Sequence, residues 1–209
     1  MAETEPLLLL VDFGNTLVDE TFMWKDSDAF PDWTSNWSDV MVEFKHACDI
    51  GTVSTDNLIV EMAKRVGCTP DAASNHFDSL CREIIVYAKI NAAIAHRHAR
   101  GERHAMVTVN PDDLPRDIAN RYGIAPNFDL IVTSAEICSD DKSEICLVAC
   151  ERLGVSPTQS VLIDNISANV ESWIECGGLG YVFEGDDQFA EDVRSGRVPG
   201  FLTVDVKRR

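Results

Sequence analysis

Short uninterrupted apolar runs recur along this chain, and each ends on a polar residue able to do chemistry. Leu7-Leu8-Leu9-Leu10-Val11 ends in Asp12, and Ala105-Met106-Val107 ends in Thr108. Leu130-Ile131-Val132 ends in Thr133 and Ser134, and Val161-Leu162-Ile163 ends in Asp164. Runs that do not alternate with polar residues suit strands covered on both faces, as in a parallel sheet between helices. Helical periodicity separates the later runs, over Asp112 to Arg121 and over Lys142 to Leu153, the second closed by Gly154. A third helical stretch, Asn165 to Cys176, closed by Gly177, follows the fourth run. Strands alternating with helices predict a doubly wound α/β parallel sheet, in which ligands bind beyond the carboxyl ends of the strands. The four polar endings are therefore expected to converge on one site.

The first two runs are separated by roughly 90 residues, where a single crossover helix would need a dozen or two. Helical periodicity runs through this gap over Ser38 to Ala47, Thr55 to Val66, Asp71 to Tyr87 and Asn91 to Arg100. The pattern predicts a core formed by residues 1–18 and 101–209, with a small helical subdomain, residues 19–100, inserted after the first strand. Phe183 to Arg209 reads as a short helix and a final strand, Phe201 to Val206, followed by a solvated basic tail, Lys207-Arg208-Arg209. His96 to His104 is the most basic patch, and cations before Gly101 complement a helix C-terminus.

The length of 209 residues suits one large domain, or a core with an insert. With 35 Asp and Glu against 18 Lys and Arg, the formal charge of −17 repels phosphate backbones and anionic bilayers. Nucleic acid and membrane surfaces are thus not expected as partners. A surplus of carboxylates does suit hard cations such as Mg²⁺. The seven cysteines are odd in number and include no CxxC pair, which favours a reducing compartment. Cys146 and Cys150 would share a helix face as small core residues. Glu3 and Glu5 stand where a signal peptide would be basic, and Leu7 to Val11 is too short to span a bilayer, so a soluble, cytoplasmic protein is expected.

A carboxylate such as Asp12, at the tip of a buried strand, can attack an electrophile and form a covalent intermediate. Followed by Gly14 and Asn15, it could equally cap a turn. The wider pattern resembles the haloacid dehalogenase (HAD) superfamily of hydrolases over nearly the whole chain. The family's first motif, usually D-x-D-G-T-L, is matched by Asp12-Phe13-Gly14-Asn15-Thr16-Leu17. The Thr or Ser ending its second strand is matched by Thr108, and its Lys by Lys142 in FDLIVTSAEICSDDK. Its acidic strand end is matched by Asp164-Asn165, with Asn169 following. The insert resembles the family's helical cap, and DIGTVSTDNL resembles a stretch common within such caps.

The resemblance implies a Rossmann-like core and a phosphatase acting on a small phosphorylated metabolite. Asp12 would be the nucleophile, and Thr108 and Lys142 would contact the transferring phosphoryl oxygens. Mg²⁺ would be held by Asp12, the Gly14 carbonyl and Asp164, with waters completing its shell. Asn110 stands near the place where relatives carry Asn after the Thr or Ser, and is a candidate substrate contact. Trp24 is a second one, as part of the aromatic-rich stretch from Phe22 to Trp37, whose rings could wall a pocket or build the core of the insert.

Two departures from the family pattern bear on mechanism. Phosphatases of the family usually carry a general-acid Asp two residues after the nucleophile, and here that residue is Gly14. A branch that includes sugar-1-phosphatases has a similar D-x-G-N motif. Asn165 stands where many relatives have a second acid. Loss of a general acid typically costs ~10²–10⁴-fold on a poor leaving group. The alternatives are a 2-haloacid dehalogenase-like hydrolase, though that branch typically has an aromatic at the Gly14 position, and a catalytically weakened binding protein.

Overall fold

The computed structural model describes residues 7–111 and 113–201. The expectations for Glu3, Glu5, Asp112, the basic tail and the final strand beyond Phe201 lie outside the described residues. The chain starts with β1 (Leu8–Val11) and a two-residue β2 (Val18–Asp19), then three helices, α1 (Trp33–Asp49), α2 (Thr55–Val66) and α3 (Pro70–Cys81). A two-residue β3 (Ile85–Val86) pairs antiparallel with β2, and α4 (Ala88–His98) follows. Strands and helices then alternate as β4 (His104–Thr108), α5 (Asp113–Arg121), β5 (Leu130–Thr133), α6 (Ser134–Ile137) and α7 (Lys142–Leu153). The last described elements are β6 (Ser160–Asp164), α8 (Ser167–Glu175), β7 (Leu179–Val182) and α9 (Asp186–Arg194).

Five strands form one parallel sheet in the order β5-β4-β1-β6-β7. This is the expected doubly wound α/β architecture with a helical insertion. The alternation inside each apolar run explains why no polar residue interrupts it. Leu9, Val11, Met106, Val161 and Ile163 face one core, shared with residues of the inserted helices. Leu8, Leu10, Ala105, Val107 and Leu162 face the other, against Ile145, Cys146, Ala149 and Cys150 of α7 and Trp173 of α8. Both faces are covered, so the middle positions of these strands are apolar and polar residues are confined to their ends. β1 lies at the centre, between β4 and β6, so the chain leaves the sheet centre in opposite directions on its two sides. The crevice of such a sheet lies at that reversal, and Asp12, Thr108 and Asp164 end the three strands that meet there.

The elements differ most from the periodic pattern in three places. α1 starts at Trp33 rather than Ser38, because Trp33, Trp37 and Val40 continue its buried face, and the Asp26 carboxylate accepts from Thr34 N at 2.7 Å. The Trp33 and Trp37 rings stack at 6.2 Å inside the insert, the core role open to this aromatic stretch. α3 stops at Cys81 rather than reaching Tyr87, since Ile85 and Val86 leave the helix to pair with β2; β-branched residues favour that extended state. β7 was not anticipated, because Gly178 and Gly180 dilute its apolar pattern. All seven cysteines are free, and Cys146 and Cys150 are buried. Among the described residues no helix is long and apolar enough to cross a membrane.

α1, α2 and α3 pack on one another, whereas α4 packs on α9, where Asp186 accepts from the backbone of Lys89 and Ile90. The turn after α1 brings the insert against the core. Gly51 has φ +75°, and a Cβ there would come within 2.8 Å of the Ala135 carbonyl oxygen, so only glycine allows this approach. A cavity of about 300 Å³ lies at that boundary, lined by Gly51, Val53 and Ser54 on one side and Pro111, Asp113, Ala135 and Glu136 on the other.

His104, the first residue of β4, is fully buried. Its Nδ1 lies 3.2 Å from the Asn127 carbonyl oxygen, and its Nε2 has no hydrogen-bond partner among the described residues. Burial pushes the imidazole down to about 4. A depressed histidine binds protons more readily in the unfolded chain, so it lowers stability as pH falls from about 6.5 towards 4, by up to about 3 kcal/mol. His104→Gln is expected to remove most of this acid sensitivity, read as the change in urea midpoint between about pH 7 and about pH 5. An undiminished change in the variant would place the acid sensitivity elsewhere.

Candidate active site

The site is assembled at three neighbouring strand ends. Asp12 directly follows β1, and its N–H continues the sheet by donating to the Ile163 carbonyl at 2.9 Å. The chain then reverses sharply. The Phe13 carbonyl accepts from the N–H groups of Leu17 at 2.8 Å and Val18 at 3.2 Å, and Asn15 takes a left-handed φ of 54°. Thr16, fully buried in this turn, points its hydroxyl at Asp12 Oδ2 and at Asn165 Oδ1, both at a long 3.4 Å.

Lys142 enters from the first turn of α7, whose N-cap is Asp141, accepting from Ser143 N at 2.8 Å. The lysine is only 3% exposed. Its ammonium donates to Asp12 Oδ1 at 2.6 Å and to the Val107 carbonyl at 2.9 Å, and pairs with Asp164 Oδ2 at 3.2 Å. Three acceptors match the three protons of an ammonium, so the buried charge is fully satisfied. Asp164, with no exposed surface, also accepts from Ile166 N at 2.8 Å and from Asn169 Nδ2 at 3.0 Å.

These bonds bring Asp12, Lys142 and Asp164 into one cluster. Two buried carboxylates share one ammonium, which leaves an excess negative charge. Burial pushes the Asp12 carboxyl up to about 6, Lys142 opposing and Asp164 reinforcing that rise. Burial alone would lower the Lys142 ammonium, but Asp12 and Asp164 outweigh it and hold it above the usual lysine range. Thr108 is buried at the end of β4, and its hydroxyl accepts from Asn110 Nδ2 at 2.8 Å. Asn110 is fixed in turn by exchange with Ser134, donating its N–H to Ser134 Oγ at 2.9 Å. Trp24 lies outside this bonded group, at the end of a 3-10 turn over Glu20–Met23, and is 42% exposed.

Three residues that the sequence reading left aside also belong here. Thr16 and Asn169 orient the two carboxylates, and both lie inside motifs already noted. The third is Glu20, at the start of the 3-10 turn. Asn15 holds it twice, accepting from Glu20 N at 3.2 Å and donating to Glu20 Oε2 at 3.4 Å. Burial pushes its carboxyl up to about 7, Asp12 adding to the rise while Lys45 and a hydrogen bond from Asn110 oppose it. The one sequence signal for it is an acidic pair, Asp19-Glu20, soon after the Asp12 strand.

No family model matches this chain, nor does any curated protein sequence. Among solved structures, the chain is similar to a HAD family enzyme from Bacteroides thetaiotaomicron in complex with magnesium and inorganic phosphate. The TM-score is 0.65 at 14% identity, over 86% of this chain and 95% of that one. It is similar to a predicted HAD-like family hydrolase from Porphyromonas gingivalis, with TM-score 0.67 at 14% identity over 91% and 97% of the two chains. L-2-haloacid dehalogenase from Xanthobacter autotrophicus, with chloropropionic acid covalently bound, gives 0.64 at 12% identity over 92% and 84%. What these likenesses establish at such identities is architecture, and the chain has the α/β fold of HAD-family enzymes.

Proposed function

We propose that this protein is a Mg²⁺-dependent phosphatase that hydrolyses a small phosphorylated metabolite through an aspartyl-phosphate on Asp12. The observation that carries the reading is the placement of Asp12 on the Lys142 ammonium, with Asp164 sharing that ammonium from the neighbouring strand end. Asp12 supplies an oxygen nucleophile whose orientation is fixed by Lys142 and Thr16. Lys142 offers a buried positive charge where a phosphoryl group would meet the nucleophile. The Thr108 hydroxyl, held by Asn110, donates to the phosphoryl oxygens, and Asn110 itself contacts the substrate.

The donor chemistry fits a divalent cation. Among the described residues no three His, Cys, Asp or Glu side chains cluster as ligands, so the site has two carboxylates and neutral oxygens. Mg²⁺ suits such a set, being commonly held by one or two carboxylates with waters retained. Burial raises the Asp12 carboxyl and the Asp164 charge adds to the rise, and a cation between the two carboxylates would favour the ionised form. Asp12, the Gly14 carbonyl and Asp164 would hold it, and when bound it neutralises charge on the phosphoryl oxygens. Support from the fold neighbours is the magnesium and phosphate bound by the Bacteroides thetaiotaomicron enzyme. Residues 19–100 would act as the cap, and Trp24 would contact substrate from the insert's exposed side.

A panel of phosphate monoesters is expected to release inorganic phosphate only with Mg²⁺ present and to stop on chelation. No release across a broad panel would sink the reading. Chloride release from a 2-haloacid without metal would replace it with the dehalogenase chemistry of the Xanthobacter autotrophicus neighbour.

A further inference from the structure

Gly14 leaves a space beside the nucleophile, and this chain fills it from elsewhere. A Cβ built on Gly14 would land on the carboxyl group of Glu20, in contact with both of its oxygens and its Cδ. The Glu20 carboxyl therefore occupies the volume a side chain two residues after Asp12 would take. It reaches that volume through the sharp turn that follows β1, in which Gly14 and Val18 form an isolated bridge. Its neighbour in the turn fixes it there. Asn15, held left-handed, grips both its backbone and its carboxyl. Glu20 is thus tied into the turn that carries the nucleophile.

On the aspartyl-phosphate reading above, we propose that Glu20 is a catalytic residue of this site, the proton-transfer group that replaces the missing carboxyl at position 14. In the first step an Asp12 oxygen forms a bond to phosphorus and the bond from phosphorus to the ester oxygen breaks. The departing oxygen takes that electron pair and a proton from the Glu20 carboxyl, leaving as the alcohol. In the second step water attacks phosphorus and Glu20 takes back one of its protons. The bond between phosphorus and the Asp12 oxygen breaks, returning the Asp12 carboxylate and inorganic phosphate. The sum is ester plus water giving alcohol plus phosphate, with Glu20 and Asp12 restored.

The arrangement also changes what a substitution at Gly14 should do. Aspartate there would have to push the Glu20 carboxyl aside, so the single change exchanges one acid for another. In a Glu20→Ala background the space is vacant and the new carboxyl can enter it.

The test compares phenyl phosphate, whose alcohol leaves poorly, with 2,4-dinitrophenyl phosphate, whose alcohol leaves without a proton, both with Mg²⁺. Glu20→Gln keeps the side chain's size. It is expected to slow single-turnover release of phenol by about 10²–10⁴-fold while leaving the first burst of dinitrophenol within a fewfold of the wild type. Glu20→Ala is expected to match this, and Gly14→Asp added to Glu20→Ala to recover phenol release at least tenfold. Equal losses on both esters in single turnover, with no recovery in the double variant, would make Glu20 structural and overturn the assignment. Wild-type rates from Glu20→Gln on both esters would also overturn it, while leaving the phosphatase reading intact. A wild-type protein inert on both esters would remove that reading, and the assignment with it.

Discussion

Asp12→Asn is expected to reduce Mg²⁺-dependent phosphate release by on the order of 10⁴-fold or more, the scale seen when a covalent nucleophile is removed. The amide keeps the size of the carboxylate but offers no anionic oxygen to phosphorus, so no acyl-phosphate forms. The same variant is expected to be at least as stable as the wild type in the absence of metal. The Asp12 carboxyl lies above its ordinary range when folded. The folded chain therefore holds that proton more tightly than the unfolded chain, and stability declines as pH rises from about 4 through about 6. Asparagine has no such decline, so near neutral pH the variant should gain on the order of 1–2 kcal/mol. Phosphate release and urea unfolding on the two proteins measure both effects. A variant with a tenth of wild-type activity would remove Asp12 from the nucleophile's role.

Lys142→Met should fail in both respects. The ammonium is nearly fully enclosed and serves Asp12, Asp164 and the Val107 carbonyl together. Removing one partner of a buried ion pair typically costs ~3–5 kcal/mol, because the charge left behind has neither water nor a counter-ion. Asp12 would answer by taking up a proton, and a neutral carboxyl is a poor nucleophile, so activity should fall by roughly 10³-fold even where the variant stays folded. Lys142→Arg is not expected to rescue it. A planar guanidinium cannot direct its protons at three acceptors gathered around a single nitrogen. Asp12→Asn added to Lys142→Met should recover part of the lost stability, since it removes one of the stranded charges, and a double-mutant cycle measures that coupling. A Lys142→Met protein with the wild-type urea midpoint would show that the cluster contributes no stability.

Much of this site was legible along the chain because both faces of the sheet are buried. Apolar residues had to run without interruption until each strand emerged, so Asp12, Thr108 and Asp164 stood out as the first polar groups at three exits. Lys142 was legible as the start of a helix closed by Gly154, and the helix runs over the residues expected. The limits of α1 and α3 were less legible. The buried Trp33 and the pairing of Ile85 and Val86 with β2 depend on packing partners far from them in sequence.

The sequence by itself determined the alternation of the four apolar strands with their helices, the helical stretch after the first strand, and which residues stand at the strand ends. Those follow from local periodicity and from the need to keep buried strands apolar. Only the tertiary structure decided that one ammonium lies between two carboxylates 152 residues apart along the chain, and that Glu20 fills the space beside Gly14. Both depend on where chain reversals deliver side chains in space. The reversal after β1 is set by the left-handed Asn15 and three N–H groups gathered on the Phe13 carbonyl. A glycine that reads along the chain as the loss of an acid is, in the folded protein, the space into which another acid fits.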